Sequence, residues 1–283
     1  MVRTRIDEFP EDQVVMPVGP ETNWEQALVS IDTVIHLAAH LHVMHANAED
    51  ERHFSEVNLQ GTARLAESAA TAGVRRFIFL STVKVHGERT HGMAFSEQTP
   101  LRPQDAYARS KVEAEYELKR IGQASGMEVV IIRPPLVYGA GVKANFFQLL
   151  RLVKHRLPLP LGGIHNARSL IYLGNLVDAI GMCIKHPLAA NESFLVSDGK
   201  DLSTIELVIL MSQAMGMDAR IFSVPLPLLR LVGKLLRRDA MVDRVVDSLQ
   251  INSSHFRERL GWSPPMSVED GIKATVKWYL DHL

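Results

Sequence analysis

Short apolar runs alternate with longer stretches of mixed polarity along the first two-thirds of the chain. The runs at 14–18, 33–37, 76–80, 128–133 and 193–196 are four to six residues long and rich in Val, Ile, Leu and Phe, so each predicts a strand. Between them, 24–29, 49–72, 106–123 and 174–185 carry apolar residues at helical spacing and predict helices. Strand and helix in alternation predict an α/β fold built on a doubly wound parallel sheet. The VVII run at 129–132 has no polar alternation, as expected of a strand covered on both faces. After Pro134 the pattern loosens, and 145–154, 204–215, 225–236 and 267–282 predict the helices of a smaller C-terminal part.

Two of these elements carry candidate chemistry. Ser81 and Thr82 stand at the end of the 77–80 run, and Tyr107 and Lys111 lie four residues apart on the predicted helix that follows. Residues at that spacing share a helix face, which predicts an ammonium beside a phenol. A nearby cation would favour phenolate and lower a pKa that is ordinarily about 10, toward a value useful in proton transfer.

Six motifs stand in a fixed order: VIHLAA at 34–39, VNLQGT at 57–62, FIFLST at 77–82, YARSK at 107–111, IRPPLVYG at 132–139 and RSLIYLGNLVDA at 168–179. In that order the chain resembles the extended short-chain dehydrogenase/reductase family, from about Val14 to the C-terminus. These are the NAD-dependent nucleotide-sugar epimerases, dehydratases and reductases. The resemblance implies a Rossmann-like dinucleotide-binding domain over 1–136, with 170–198 returning to it, and a substrate-binding part formed by 137–169 and 199–283. It implies NAD as cofactor, with NADP left open, and a nucleotide sugar as substrate. Tyr107 would be the general acid/base at the reacting sugar oxygen, Thr82 would hydrogen-bond that oxygen, and Lys111 would lower the Tyr107 pKa while binding the nicotinamide ribose. Leu37, Ala38 and Ala39 would form a strand-end turn open to the cofactor. Asn58 would orient that turn, Ser81 would support the site from the cofactor side, and Pro134 would flank the nicotinamide. Arg168 would bind the nucleotide diphosphate. The less favoured alternatives are that Asn58 is simply a helix residue bonded to a neighbouring loop and Arg168 a surface ion-pair partner.

Members of this family open with a strand, a Gly-x-x-Gly-x-x-Gly turn and a helix that hold the cofactor pyrophosphate. No such turn occurs in this sequence, whose first ten residues read like the exit of a second strand. One β-α-β unit of roughly 40 residues is therefore expected to be missing. Two consequences follow as expectations: an incomplete cofactor grip, with a catalytically impaired nucleotide-sugar-binding remnant as one alternative, and exposed sheet edge that favours self-association. A family-like homodimer would use helices around 49–72 and 106–123.

Val83 and Lys84 narrow the reaction. Family members that dehydrate a sugar carry Asp-Glu at these two positions, a carboxylate pair this chain lacks. Chemistry that needs only Thr, Tyr and Lys remains, and the resemblance implies that this is 4-epimerisation of a UDP-hexose or UDP-N-acetylhexosamine. The alternative is single reduction of a nucleotide-4-keto-6-deoxysugar for surface polysaccharide.

Composition adds exclusions. The 31 basic and 32 acidic residues give a net charge of −1, which offers no global pull toward nucleic acid. Cys183 is the single cysteine and is expected as a buried helix residue. His36, His40, His42 and His45 cluster, but without a completing Cys or carboxylate no metal site is expected. The N-terminus has no apolar signal core and no apolar run reaches membrane-spanning length, so a cytoplasmic protein without stable membrane insertion is expected. The basic, amphipathic stretch 225–238 is expected to pack with an exposed basic edge, a membrane surface being its alternative partner.

Overall fold

A computed structural model describes residues 16–40, 48–235 and 239–282. The chain divides into two compact units, one drawn from residues 1–87, 99–133 and 180–194, the other from 88–98, 134–179 and 195–283. The division differs from the expected one. The segment returning to the first unit is shorter than 170–198, residues 88–98 cross to the second, and the second unit is no smaller than the first.

The first unit is built on a parallel sheet. Strands β1 (Thr33–His36), β2 (Arg76–Leu80) and β3 (Glu128–Arg133) pair in parallel, with Phe77 facing Val34 and Val129, and β6 (Ser193–Leu195) follows β3 in the order β1-β2-β3-β6. Among the described residues β1 pairs with β2 alone, and Ile35 and Leu37 at this edge stay exposed.

Helices cover the sheet because alternate strand residues point to opposite faces. On one face Phe77, Phe79, Val129 and Ile131 pack against Leu65, Ala66 and Ala69 of α2 (Gly61–Thr71) and Ala114, Leu118 and Ile121 of α3 (Ala106–Ser125). Full burial of each such Phe, Val, Ile or Leu side chain stabilises by about 1.5–3 kcal/mol. On the other face the buried Arg76 guanidinium donates to the carbonyls of Cys183, Ile184 and His186, where α5 (Leu173–Lys185) ends. The carbonyls at the C-terminal end of α5 thereby gain a cation, favourable for the helix dipole.

Helix α3 has defined ends. The Asp105 carboxylate accepts from the Ala108 N–H at 2.6 Å as N-cap, and Gly126 closes the helix at a left-handed φ of 79°. Gly122 sets the distance between α3 and β3, since a Cβ there would lie 2.8 Å from the Val129 side chain and 2.9 Å from the Met127 carbonyl.

Three expected elements differ. No strand covers 16–18, and Val14 and Val15 lie outside the described residues. The stretch 24–29 reduces to one 3-10 turn, Gln26–Leu28, anchored by the buried Trp24 and Leu28. The helix expected over 49–72 is interrupted. It runs as α1 (Ala48–His53), a π-helical segment Phe54–Gln60, then α2.

The second unit contains the parallel pair β4 (Leu136–Tyr138) and β5 (Leu170–Tyr172), α4 (Ala144–Lys154) and α6 (Thr204–Ala214). It also contains α7 (Leu226–Leu235), α8 (Asp239–Val246), α9 (Ser254–Leu260) and α10 (Val268–Asp281). Tyr138, Phe146, Leu150, Leu170, Met211 and Ile272 lie in its core. Ser203 and Glu206 form a reciprocal capping box at the start of α6, and Ser267 caps α10.

Candidate active site

The C-terminal ends of β1 and β2, together with the first turns of α3, assemble the candidate site in the first unit. Thr82 leaves β2 in extended conformation and caps the 3-10 turn Val83–Val85, its hydroxyl oxygen accepting from the Lys84 N–H at 3.3 Å. That bond uses one acceptor lone pair and leaves the hydroxyl proton available for donation. The Lys84 ammonium pairs with the Asp105 carboxylate at 2.8 Å. One residue thus holds the Thr82 hydroxyl through its backbone and the N-cap of the Tyr107 helix through its side chain.

Lys111 is 2% exposed, and its ammonium donates to the Leu80 carbonyl at 2.9 Å and sits 4.3 Å from the centre of the Phe79 ring. Burial lowers its pKa to about 7, against a smaller upward pull from Glu115. Tyr107 moves the other way. Burial, and then the negative charge of Asp105, push its phenol up to about 12. The expected lowering of Tyr107 by Lys111 is therefore corrected: the ammonium turns to the end of β2 and desolvation dominates both groups. His36 lies against the same ring, stacked on Phe79 with its Nε2 2.9 Å from the Thr62 hydroxyl. Burial first and the Lys111 charge second hold it neutral, its pKa lowered to about 3.

Behind the strand end runs a buried ionic network. The Ser81 hydroxyl donates to Glu115 at 2.5 Å, and Glu115 receives two bonds from the Arg133 guanidinium, at 3.0 and 2.5 Å. Arg133 also donates to His86 Nε2 at 3.1 Å, while His86 Nδ1 lies 2.9 Å from the Thr99 carbonyl. A carbonyl can only accept, so His86 carries its proton on Nδ1 and accepts on Nε2. Ser81 thus donates its hydroxyl proton into this network. The sequence signal for Glu115 was its place four residues after Lys111 on one face of α3.

Leu37 and Ala38 are exposed at the end of β1, and Ala39 is half-buried. Fully buried Asn58, within the π-helical segment, accepts from the His40 N–H at 2.7 Å and donates to the His40 carbonyl at 3.1 Å. Its amide also donates to the Ser110 hydroxyl, which in turn donates to the Tyr107 carbonyl at 2.8 Å. Asn58 so ties the loop after β1 to the turn of α3 that carries Tyr107. A π segment at this point brings Asn58 to both partners, a recurrent use of π bulges at functional sites. Ser110 was not anticipated as a link.

Two expected residues belong to the second unit. Pro134 is buried. Arg168 donates through Nη1 to the Arg244 and Asp247 carbonyls at 3.0 and 2.9 Å, where α8 ends. Its guanidinium is not the surface ion-pair partner considered above. Cys183 is fully buried and its thiol is pushed up to about 12 by burial. His42 and His45 lie outside the described residues; among the described residues no three His, Cys, Asp or Glu side chains converge as metal ligands. Among them, too, no helix is long and apolar enough to cross a membrane.

The model of the NAD dependent epimerase/dehydratase family matches residues 18–197. A UDP-glucose 4-epimerase from Vibrio cholerae is 45% identical over 278 residues, covering 95% of this chain and 84% of that protein. A dTDP-glucose 4,6-dehydratase from Streptomyces griseus is 29% identical, covering 89% and 72%. Among solved structures, UDP-glucuronic acid 4-epimerase from Bacillus cereus, in complex with UDP-glucuronic acid and NAD, superposes with a TM-score of 0.75. It is 20% identical and covers 93% of this chain and 80% of that one, a likeness of fold.

Proposed function

Since the chain belongs to the NAD dependent epimerase/dehydratase family, we propose that it is a nucleotide-sugar 4-epimerase acting on a UDP-hexose or UDP-N-acetylhexosamine. The first unit serves as its dinucleotide-binding part and the second as its substrate-binding part. The observation that carries the reading is the desolvated Lys111 ammonium on the Leu80 carbonyl at the end of β2, the strand that Thr82 leaves, with no carboxylate at Val83 or Lys84.

NAD fits what Lys111 lacks. The ammonium has three donors, and among the described residues one hydrogen-bond acceptor, the Leu80 carbonyl, meets them. The two hydroxyls of a nicotinamide ribose would satisfy the rest. Leu37 and Ala38 would take the cofactor on the open end of β1, with Asn58 fixing that loop. When bound, NAD supplies a reversible hydride acceptor for the sugar C4.

This chain's residues handle the proton. Tyr107 stands as a phenol at neutral pH because burial and Asp105 hold its proton on. Oxidation of C4 requires Tyr107 as phenolate, which takes the O4 proton and becomes the phenol; that phenol returns the proton to O4 when hydride returns to C4. Thr82 donates its free hydroxyl proton to the same oxygen and fixes its position, a contribution typical of a placed donor. Lys111, its ammonium on the Leu80 carbonyl at the end of β2, holds the nicotinamide ribose rather than the phenol. Lys84 cannot act as the acid of a dehydratase, because its ammonium is held on Asp105. Arg168 is assigned the substrate diphosphate, and the protein is placed in the cytoplasm as a homodimer.

The test is incubation with UDP-glucose and with UDP-N-acetylglucosamine in the presence of NAD, products being resolved by NMR. Formation of the C4 epimer supports the assignment. Failure with both substrates, together with reduction of a UDP-4-keto-6-deoxysugar by NADH or NADPH, would replace it with the 4-ketoreductase reading. Absence of NAD binding by calorimetry would leave the remnant.

A further inference from the structure

Helix α7 is apolar on two opposite sides. Leu226 and Leu229 pack against the core of the second unit, and Gly233 is buried on the same side. Leu228, Leu231, Val232 and Leu235, at the spacing i, i+3, i+4, i+7, form a second stripe that is 50, 54, 43 and 74% exposed. Phe222, 47% exposed, lies in the segment leading to the helix. Scattered surface leucines need no explanation, but four in one helical row, already opposite a packed row, form a patch that calls for a partner.

The charge around the stripe says which partner. From Ala219 to Leu235 the sequence carries three basic residues and no acidic one, in a chain whose net charge is −1. Arg220, Arg230 and Lys234 are exposed, Arg230 also lying 3.5 Å from Asp247. A second copy of this chain would set one cationic rim against another. A ten-residue helix is about 15 Å long, half the thickness of a bilayer's hydrocarbon, so it cannot cross and can only lie in the interface.

We infer that α7 is an interfacial helix that docks the protein on an anionic lipid surface, its leucine stripe entering the headgroup boundary and its cations meeting the phosphates. This inference does not depend on the reaction assigned above.

Co-sedimentation of the full chain with phosphatidylcholine vesicles, with and without phosphatidylglycerol, tests it. Binding is expected only where phosphatidylglycerol is present, and it falls as salt rises. Lys234→Ala weakens partitioning about fivefold. The double substitution Leu231→Gln and Leu235→Gln weakens it by more than about tenfold while leaving the thermal midpoint unchanged. Three results would each overturn the inference: no binding to anionic vesicles at low salt, undiminished binding by the double variant, or lipid-free self-association that this variant abolishes.

Discussion

Replacing Lys111 by Met stabilises the protein at neutral and acid pH while removing its activity. The buried ammonium titrates at about 7 in the folded protein against 10.5 ordinarily. At 1.36 kcal/mol per pKa unit, charging it in place costs about 5 kcal/mol relative to the unfolded chain. Methionine fills the aliphatic stem but leaves the Leu80 carbonyl without its donor, which returns about 1–3 kcal/mol. The variant is therefore more stable by about 2 kcal/mol or more below pH 7. The sign with pH follows from the depressed folded pKa. Below 7 both states are protonated and the penalty is complete. Between 7 and 10.5 the unfolded chain binds the proton that the folded chain sheds, so wild-type stability rises with pH, and the two proteins converge near pH 9. Urea unfolding at pH 6 and pH 9, followed by fluorescence that includes Trp24 in the core of the first unit, measures the difference. A variant less stable than wild type at pH 6, or an advantage of equal size at both pH values, would refute the reasoning.

Other substitutions probe the neighbouring groups. Glu115→Gln leaves the Arg133 guanidinium, 3% exposed, without its carboxylate and costs about 3–5 kcal/mol in urea unfolding; Met at both positions recovers most of the loss. Asp105→Asn keeps an N-cap but removes the charge that holds the Tyr107 proton, so the acidic limb of the kcat profile, set by formation of the phenolate, moves to lower pH. An unmoved limb would show that Asp105 does not act on the phenol. Asn58→Leu leaves the His40 N–H and carbonyl without their side-chain partner, costing about 1–3 kcal/mol for each group and weakening NAD binding in calorimetry.

How far the residues announced the structure depended on how many of them shared one signal. The strand over 128–133 is found as Glu128–Arg133 because its run of Val and Ile is continuous and bounded. Helix α3 is close to expectation because Asp105 and Gly126 punctuate it. Strands β4 and β5 span three residues each and α9 seven, too short for a period to show. At the site, Thr82, Tyr107 and Lys111 are visible as residue types at a spacing, but the direction of the Lys111 ammonium is not. It is set by the Leu80 carbonyl and the Phe79 ring, which belong to a strand 31 residues earlier. Asn58 likewise depends on a π segment whose sequence reads as ordinary helix, and the engagement of Arg168 depends on the end of α8, an element not expected at all.

The most direct probe of hydride chemistry at Thr82, Tyr107 and Lys111 is turnover of UDP-glucose carrying deuterium at C4, with the product read by NMR and mass spectrometry. Retention of deuterium at C4 in UDP-galactose, lost altogether in Tyr107→Phe because no product forms, is the predicted result. Washout of the label into water, or undiminished turnover by Tyr107→Phe, would contradict it.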